Sequence, residues 1–97
     1  LTVRVVDAAG KPVAGAPVRV ELKRHAFGFG TAIAADMIIS PGQNNDKYRE
    51  VLKKYFNEIV YENDTKWYWL HPSVYGPDRP LKAAEWLREH GFAIRGH

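Results

Sequence analysis

Val3, Val5, Val18, Val20 and Leu22 alternate with Arg4, Arg19, Glu21 and Lys23. A period of two belongs to strands with one face covered and one wet. Between the two runs lies Asp7-Ala8-Ala9-Gly10-Lys11-Pro12, a turn signal built on Gly and Pro. Residues 1–24 therefore predict a β-hairpin, with Gly15 and Pro17 marking a bulge or second bend. A two-stranded hairpin is marginal in water, so this one needs something to lean on.

The pattern changes after residue 24. Phe27-Gly28-Phe29-Gly30-Thr31-Ala32-Ile33-Ala34-Ala35 loses the polar alternation and reads as a strand buried on both faces. Residues 36–45, with Pro41, Gly42, Asn44 and Asn45, predict a loop. Tyr48, Val51, Leu52, Tyr55, Phe56 and Ile59 then fall on one stripe at the helical period, with Lys47, Arg49, Glu50, Lys53, Lys54 and Asn57 opposite. That spacing predicts a helix over 47–59, with Asp46 as its N-cap.

Residues 59–63 predict a short strand, and 64–79 a long loop crowded with Trp67, Tyr68, Trp69 and Tyr75. A second helix is expected near 80–90. Pro80 suits its first turn and Gly91 the position past its end. Residues 92–95 read as a last strand. Strand, helix, strand, helix, strand implies an α/β fold with parallel strands. Three such strands cannot close a barrel, and an open third strand leaves an unpaired edge. The unit reads as incomplete.

Composition narrows the function. The chain of 97 residues, 45% hydrophobic and 26% charged, is that of a folded protein with room for one small domain. Its net charge of +3 is spread out, with no basic run longer than Lys23-Arg24 or Lys53-Lys54, so nothing suggests a nucleic-acid surface. The absence of cysteine removes disulfide frameworks and thiolate metal sites. No apolar run approaches the ~20 residues that span a bilayer. No signal peptide is visible, and the chain opens on a strand-like segment as a mature or trimmed product would.

Binding groups in α/β folds gather at the C-terminal ends of strands. Three stretches qualify: Thr31 to Ala35, Glu62-Asn63-Asp64-Thr65-Lys66-Trp67, and Arg95-Gly96-His97. In the second, Glu62, Asn63 and Lys66 combine an acceptor, an amide and a cation, which suits sugar hydroxyls that both donate and accept. The aromatics that follow could support the apolar face of a ring. The simpler reading is a polar surface loop with a Glu–Lys pair. His97 is either a ligand donor or a residue without a role. His25, His71 and His90 have no metal-ligand spacing with it, so no metal is expected. Gly28-Phe29-Gly30 lacks the third glycine of a dinucleotide fingerprint and fits close strand packing instead. No cofactor is expected.

Phe27-Gly28-Phe29-Gly30-Thr31-Ala32 resembles the first barrel strand of the family 10 glycoside hydrolases, the endo-β-1,4-xylanases. Tyr55-Phe56-Asn57 and Glu62-Asn63-Asp64-Thr65-Lys66-Trp67 resemble that family's first helix and its Glu-Asn-x-x-Lys-Trp second strand. His90-Gly91-Phe92-Ala93-Ile94-Arg95-Gly96-His97 resembles its Arg-Gly-His third strand, and residues 1–24 the hairpin that precedes the barrel in some members. The loop from Tyr68 to Pro80 departs from the family pattern.

The resemblance implies residues 25–97 as the first βαβαβ portion of a (β/α)8 TIM barrel, preceded by a hairpin extension over 1–24. It implies Glu62, Asn63 and Lys66 as glycone-side contacts and His97 as a contact to the sugar nearest the scissile bond. Trp67 would chiefly support its loop. Xylan or a xylo-oligosaccharide is the implied ligand, and secretion the implied location. The family hydrolyses with retention, through glutamates after its fourth and seventh strands. Such chemistry needs two carboxyls roughly 5 Å apart across the bond. Glu62 and Asp64 share one strand end, so no catalytic residue is expected within this chain. Alone it should be inactive, the remainder of the barrel coming from the same chain or a separate one. The alternative is a non-catalytic carbohydrate-binding or assembly module.

Overall fold

The structure, a computed structural model, describes residues 2–97. Its regular elements are β1 (Gly30–Ile33), α1 (Ala35–Ile39), α2 (Gln43–Tyr55), β2 (Glu58–Tyr61), α3 (Trp67–Leu70), α4 (Asp78–Glu89) and β3 (Ala93–Arg95). The strands form one parallel sheet in the order β1-β2-β3, with Thr31 opposite Ile59 and Ile59 opposite Ile94. This is the expected βαβαβ arrangement, an α/β unit with an incomplete sheet.

Residues alternate between the faces of a strand, so the register sorts them. Ile33, Ile59 and Tyr61 are buried with Leu52 of α2 and Ala83 and Leu87 of α4. Gly30, Ala32, Glu58, Ala93 and Arg95, on the other face, are exposed. The β1 strand is thus buried on one face, not two as its composition predicted. The helices cover one side, and nothing among the described residues covers the other.

Helix boundaries moved for local reasons. The α2 helix starts at Gln43, after Gly42 at φ 140°, and Asp46 lies in its first turn beside Arg49 rather than at the N-cap. Four polar residues, Gln43 to Asp46, open the helix ahead of the apolar stripe that signalled it. It stops at Tyr55 because Phe56 is extended. Ile59, expected in the helical stripe, is therefore the buried centre of β2. The loop expected at 36–45 begins with α1, whose carbonyls at Met37 and Ile38 accept from Arg49, as does that of Ser40. The α4 helix starts two residues before Pro80 and ends as Gly91 predicted. Gly91, at φ 78°, donates to the Arg88 carbonyl, and Phe92 donates to that of Leu87. These two bonds are a Schellman closure, sealed by contact between buried Leu87 and Phe92.

The N-terminal stretch differs more. A turn forms at Asp7–Pro12, where Asp7 Oδ1 accepts from Ala9 and Lys11 N–H at 2.9 Å each. Among the described residues the arms meet only in the Val6–Pro12 bridge and the flanking Asp7–Lys11 and Val5–Val13 bonds. The hairpin expected over 1–24, of which Leu1 lies outside the described residues, is thus a short hairpin turn. Among the described residues, Val18, Val20 and Leu22 have no strand partner. Every described residue before Thr31 is exposed except Ala16. The result is elongated, 68 × 27 × 21 Å, with a radius of gyration of 20.2 Å against about 13 Å for a compact chain of this length.

Candidate functional site

The site begins where the β ladder ends. Glu62 N–H donates to the Ile33 carbonyl at 2.9 Å, carrying the β1–β2 pairing one residue past β2. The chain then turns: Lys66 N–H donates to the Asn63 carbonyl at 2.9 Å, and Lys66 Nζ donates to Asn63 Oδ1 at 2.9 Å. Asn63 and Lys66 are thereby held side by side, with the exposed Glu62 carboxylate at the head of the same turn.

The two residues between Asn63 and Lys66 tie this turn to its neighbours. Asp64 Oδ2 accepts from Ala35 N–H at 2.9 Å, which opens α1 beyond the end of β1. Thr65 Oγ1 donates to the His97 carbonyl at 2.8 Å and accepts from His97 N–H at 3.0 Å. All four residues expected to bind, Glu62, Asn63, Lys66 and His97, therefore lie at the C-terminal ends of β2 and β3.

Glu62 also has a neighbour that periodicity placed only in a helix stripe. The Tyr48 phenol of α2 is pushed above its ordinary pKa, mainly by burial, with the Glu62 charge adding to the effect and a backbone hydrogen bond at Ala34 opposing it. Tyr48 therefore stays a neutral phenol at ordinary pH. Tyr61, one residue before Glu62, is buried and donates to the Pro80 carbonyl at 2.7 Å. Its pKa is pushed up to about 12 by burial, with the Asp64 charge contributing.

The aromatic loop is scaffolded differently from the expectation. Trp67 opens α3 and is 89% exposed, so it does not brace the loop. Bracing comes from Trp69 stacked on Tyr75 at 4.9 Å, from Arg79 over the Tyr75 ring at 4.6 Å, and from Arg79 paired with Asp36 at 3.1 Å. Asp36, Asp64, Thr65 and Arg79 were not legible as site-builders. Their contacts join residues 29 to 43 positions apart, and only the spacer position of Asp64 and Thr65 inside the Glu62–Lys66 stretch hinted at them.

A cavity of about 480 Å³ lies at the opposite end of the strands, between residues 22–29 and the ends of α2 and α4, and a second of about 420 Å³ lies over the uncovered sheet face. Neither includes the 62–66 turn. Among the described residues, no group of three His, Asp or Glu side chains could hold a metal, and no helix is long and apolar enough to cross a membrane.

Comparison with known proteins bears directly on this arrangement. Residues 19–97 match the Glycosyl hydrolase family 10 profile. Anti-sigma-I factor RsgI6 of Acetivibrio thermocellus is 37% identical over 97 residues, covering 98% of this chain and 12% of its own length. Endo-1,4-beta-xylanase 1 of Arabidopsis thaliana is 38% identical over 58 residues, covering 60% of this chain and 6% of its own. The crystal structure of xylanase 10B from Thermotoga petrophila RKU-1 in complex with xylobiose is similar at a TM-score of 0.55 and 28% identity, over 72% of this chain and 21% of that one. The chain thus spans about a fifth or less of these relatives.

Proposed function

The chain belongs to glycosyl hydrolase family 10, and from that membership we propose that it supplies the glycone-side sugar contacts of a retaining endo-1,4-β-xylanase. Glu62 accepts from sugar hydroxyls, Lys66 donates to them, and Asn63 does both. His97 contacts the sugar next to the scissile bond. The reading divides the chain into an extension over 1–24 and the opening portion of the barrel over 25–97. The protein would work outside the cell, where its polymeric substrate lies.

Hydrolysis belongs to glutamates outside residues 1–97, on strands of the same polypeptide or of a separate one. One attacks the anomeric carbon to form a glycosyl-enzyme. The other protonates the departing oxygen and then activates the water that releases the sugar. The observation that supports this reading most is the meeting of Glu62, Asn63 and Lys66 with His97 at one end of a parallel sheet, through Thr65.

The test is calorimetry with xylobiose on the complete protein. Lys66→Ala should weaken binding roughly tenfold or more, the loss of a charge-assisted hydrogen bond. Residues 1–97 alone should release no reducing sugar from xylan. Release by them would sink the assignment of catalysis elsewhere.

A second reading is favoured by the 37% identity to an anti-sigma-I factor along nearly the whole chain. In this reading the half-site of the present chain serves a non-catalytic carbohydrate-binding or assembly module. Saturable xylobiose binding by a complete protein that releases no sugar from xylan would select it.

A further inference from the structure

We propose that Thr65 is a positioning residue that fixes His97 against the 62–66 turn, so that both strand ends meet the same sugar chain. The role rests on the reading of this edge as a xylan-binding site.

The β2–β3 register runs to Val60 opposite Arg95, and beyond it residues 65 and 97 meet through a side chain. Gly96 precedes His97 and allows the backbone a wide range of directions. One hydroxyl makes that contact. Thr65 Oγ1 donates to the His97 carbonyl at 2.8 Å and accepts from its N–H at 3.0 Å, so both backbone polar groups of that residue are engaged. A hydroxyl donates and accepts at once, and a side chain with only one of those capacities cannot replace it.

Thr65 is itself fixed. The Lys66 N–H to Asn63 carbonyl bond closes the turn that contains it, and neighbouring Asp64 is bound to Ala35 N–H. Through this one side chain, the direction in which the His97 ring leaves the backbone is set relative to Asn63 and Lys66. A sugar chain that needs contacts from both strand ends then meets them already arranged, and less ordering is left to the binding step.

The experiment compares Thr65→Val, which keeps shape and removes the hydroxyl, with Thr65→Ser, which keeps the hydroxyl, in the complete protein. Xylobiose affinity is read by calorimetry, and exchange of the His97 amide by NMR. Thr65→Val should bind roughly tenfold more weakly, and Thr65→Ser within about threefold of the parent, given two neutral hydrogen bonds at stake. The His97 amide should lose protection in Thr65→Val at unchanged melting temperature. In a His97→Ala background, Thr65→Val should cost little further affinity, because the two act as a unit. Unchanged affinity in Thr65→Val, failure of Thr65→Ser to restore it, or an equal loss in the His97→Ala background would each overturn the role. A parent that binds no xylobiose, even with a protected His97 amide, would overturn the site reading and this role with it.

Discussion

Val20 and Ile59 are both β-branched residues of strand-like sequence, yet Val20 is 66% exposed and Ile59 only 2%. They stand for two regions. In residues 30–95 each strand is followed or preceded by a helix whose apolar stripe returns to the sheet, and Ile33, Ile59, Leu52, Ala83 and Leu87 close one core. In residues 2–29 apolar and polar positions alternate more regularly than in β1 or β2, but no element among the described residues covers the apolar side. Alternation specifies which face should be buried; a second surface has to bury it.

The sharpest way to break the comparison is to remove cover from the folded side. Leu87 is fully buried on α4, so Leu87→Ala should cost about 3 kcal/mol in denaturant unfolding of the complete protein, lost transfer energy plus an unfilled cavity. A cost below about 1 kcal/mol would mean that this core carries little of the stability.

Asn57 makes most of the hydrogen bonds that join the two regions, with Glu58 N–H adding one to the Phe29 carbonyl. Asn57 Oδ1 accepts from Phe29 N–H at 2.7 Å, and its Nδ2 donates to the carbonyls of Phe27 at 2.9 Å and His25 at 3.3 Å. Asn57→Ala should cost about 2 kcal/mol, since each such bond contributes about 1 kcal/mol or less net. It should also open residues 25–29 to proteolysis while leaving the β1–β2 register intact. If cleavage there is unchanged, the N-terminal stretch has another anchor.

How legible each region was follows from the same physics. The order of strands and long helices could be read because Leu52, Leu87 and Gly91 obey local periodicity and capping. The uncovered outer face of β1 could not be read, because burial depends on what packs against a strand as well as on its composition. The short α1 and α3 helices carry no stripe long enough to show a period, and α1 is held by Arg49 from α2, eleven residues beyond Ile38. In the candidate site, Glu62, Asn63, Lys66 and His97 are proposed from resemblance to a motif. Asp64 and Thr65 fill positions that the motif leaves variable, and their work is done against residues 35 and 97.

A smaller effect probes the folded region by pH. Tyr61 is buried, and its folded pKa of about 12 lies above its ordinary 10. Folding therefore favours the neutral phenol. Its contribution is fully present below pH 10 and is lost as pH rises toward about 12. Tyr61→Phe should cost about 1 kcal/mol at neutral pH, for the lost bond to the Pro80 carbonyl, and should flatten the alkaline decline. An unchanged decline in the variant would assign it to another group.

The smallest expected effect is the most diagnostic of the exposed region. Val20→Thr keeps β-branching and strand propensity while exchanging a methyl for a hydroxyl, so it changes little except the cost of burial. With Val20 in solvent, stability should move by less than about 0.5 kcal/mol, as at other exposed sites. Had Val20 packed under a covering strand or helix, the same change would bury an unpartnered hydroxyl and cost about 1–3 kcal/mol. The two outcomes do not overlap. A loss in the larger range in the complete protein would show that the Val18, Val20 and Leu22 face is covered there by residues beyond these 97, and would turn the contrast between the regions into a difference in where each one's cover comes from.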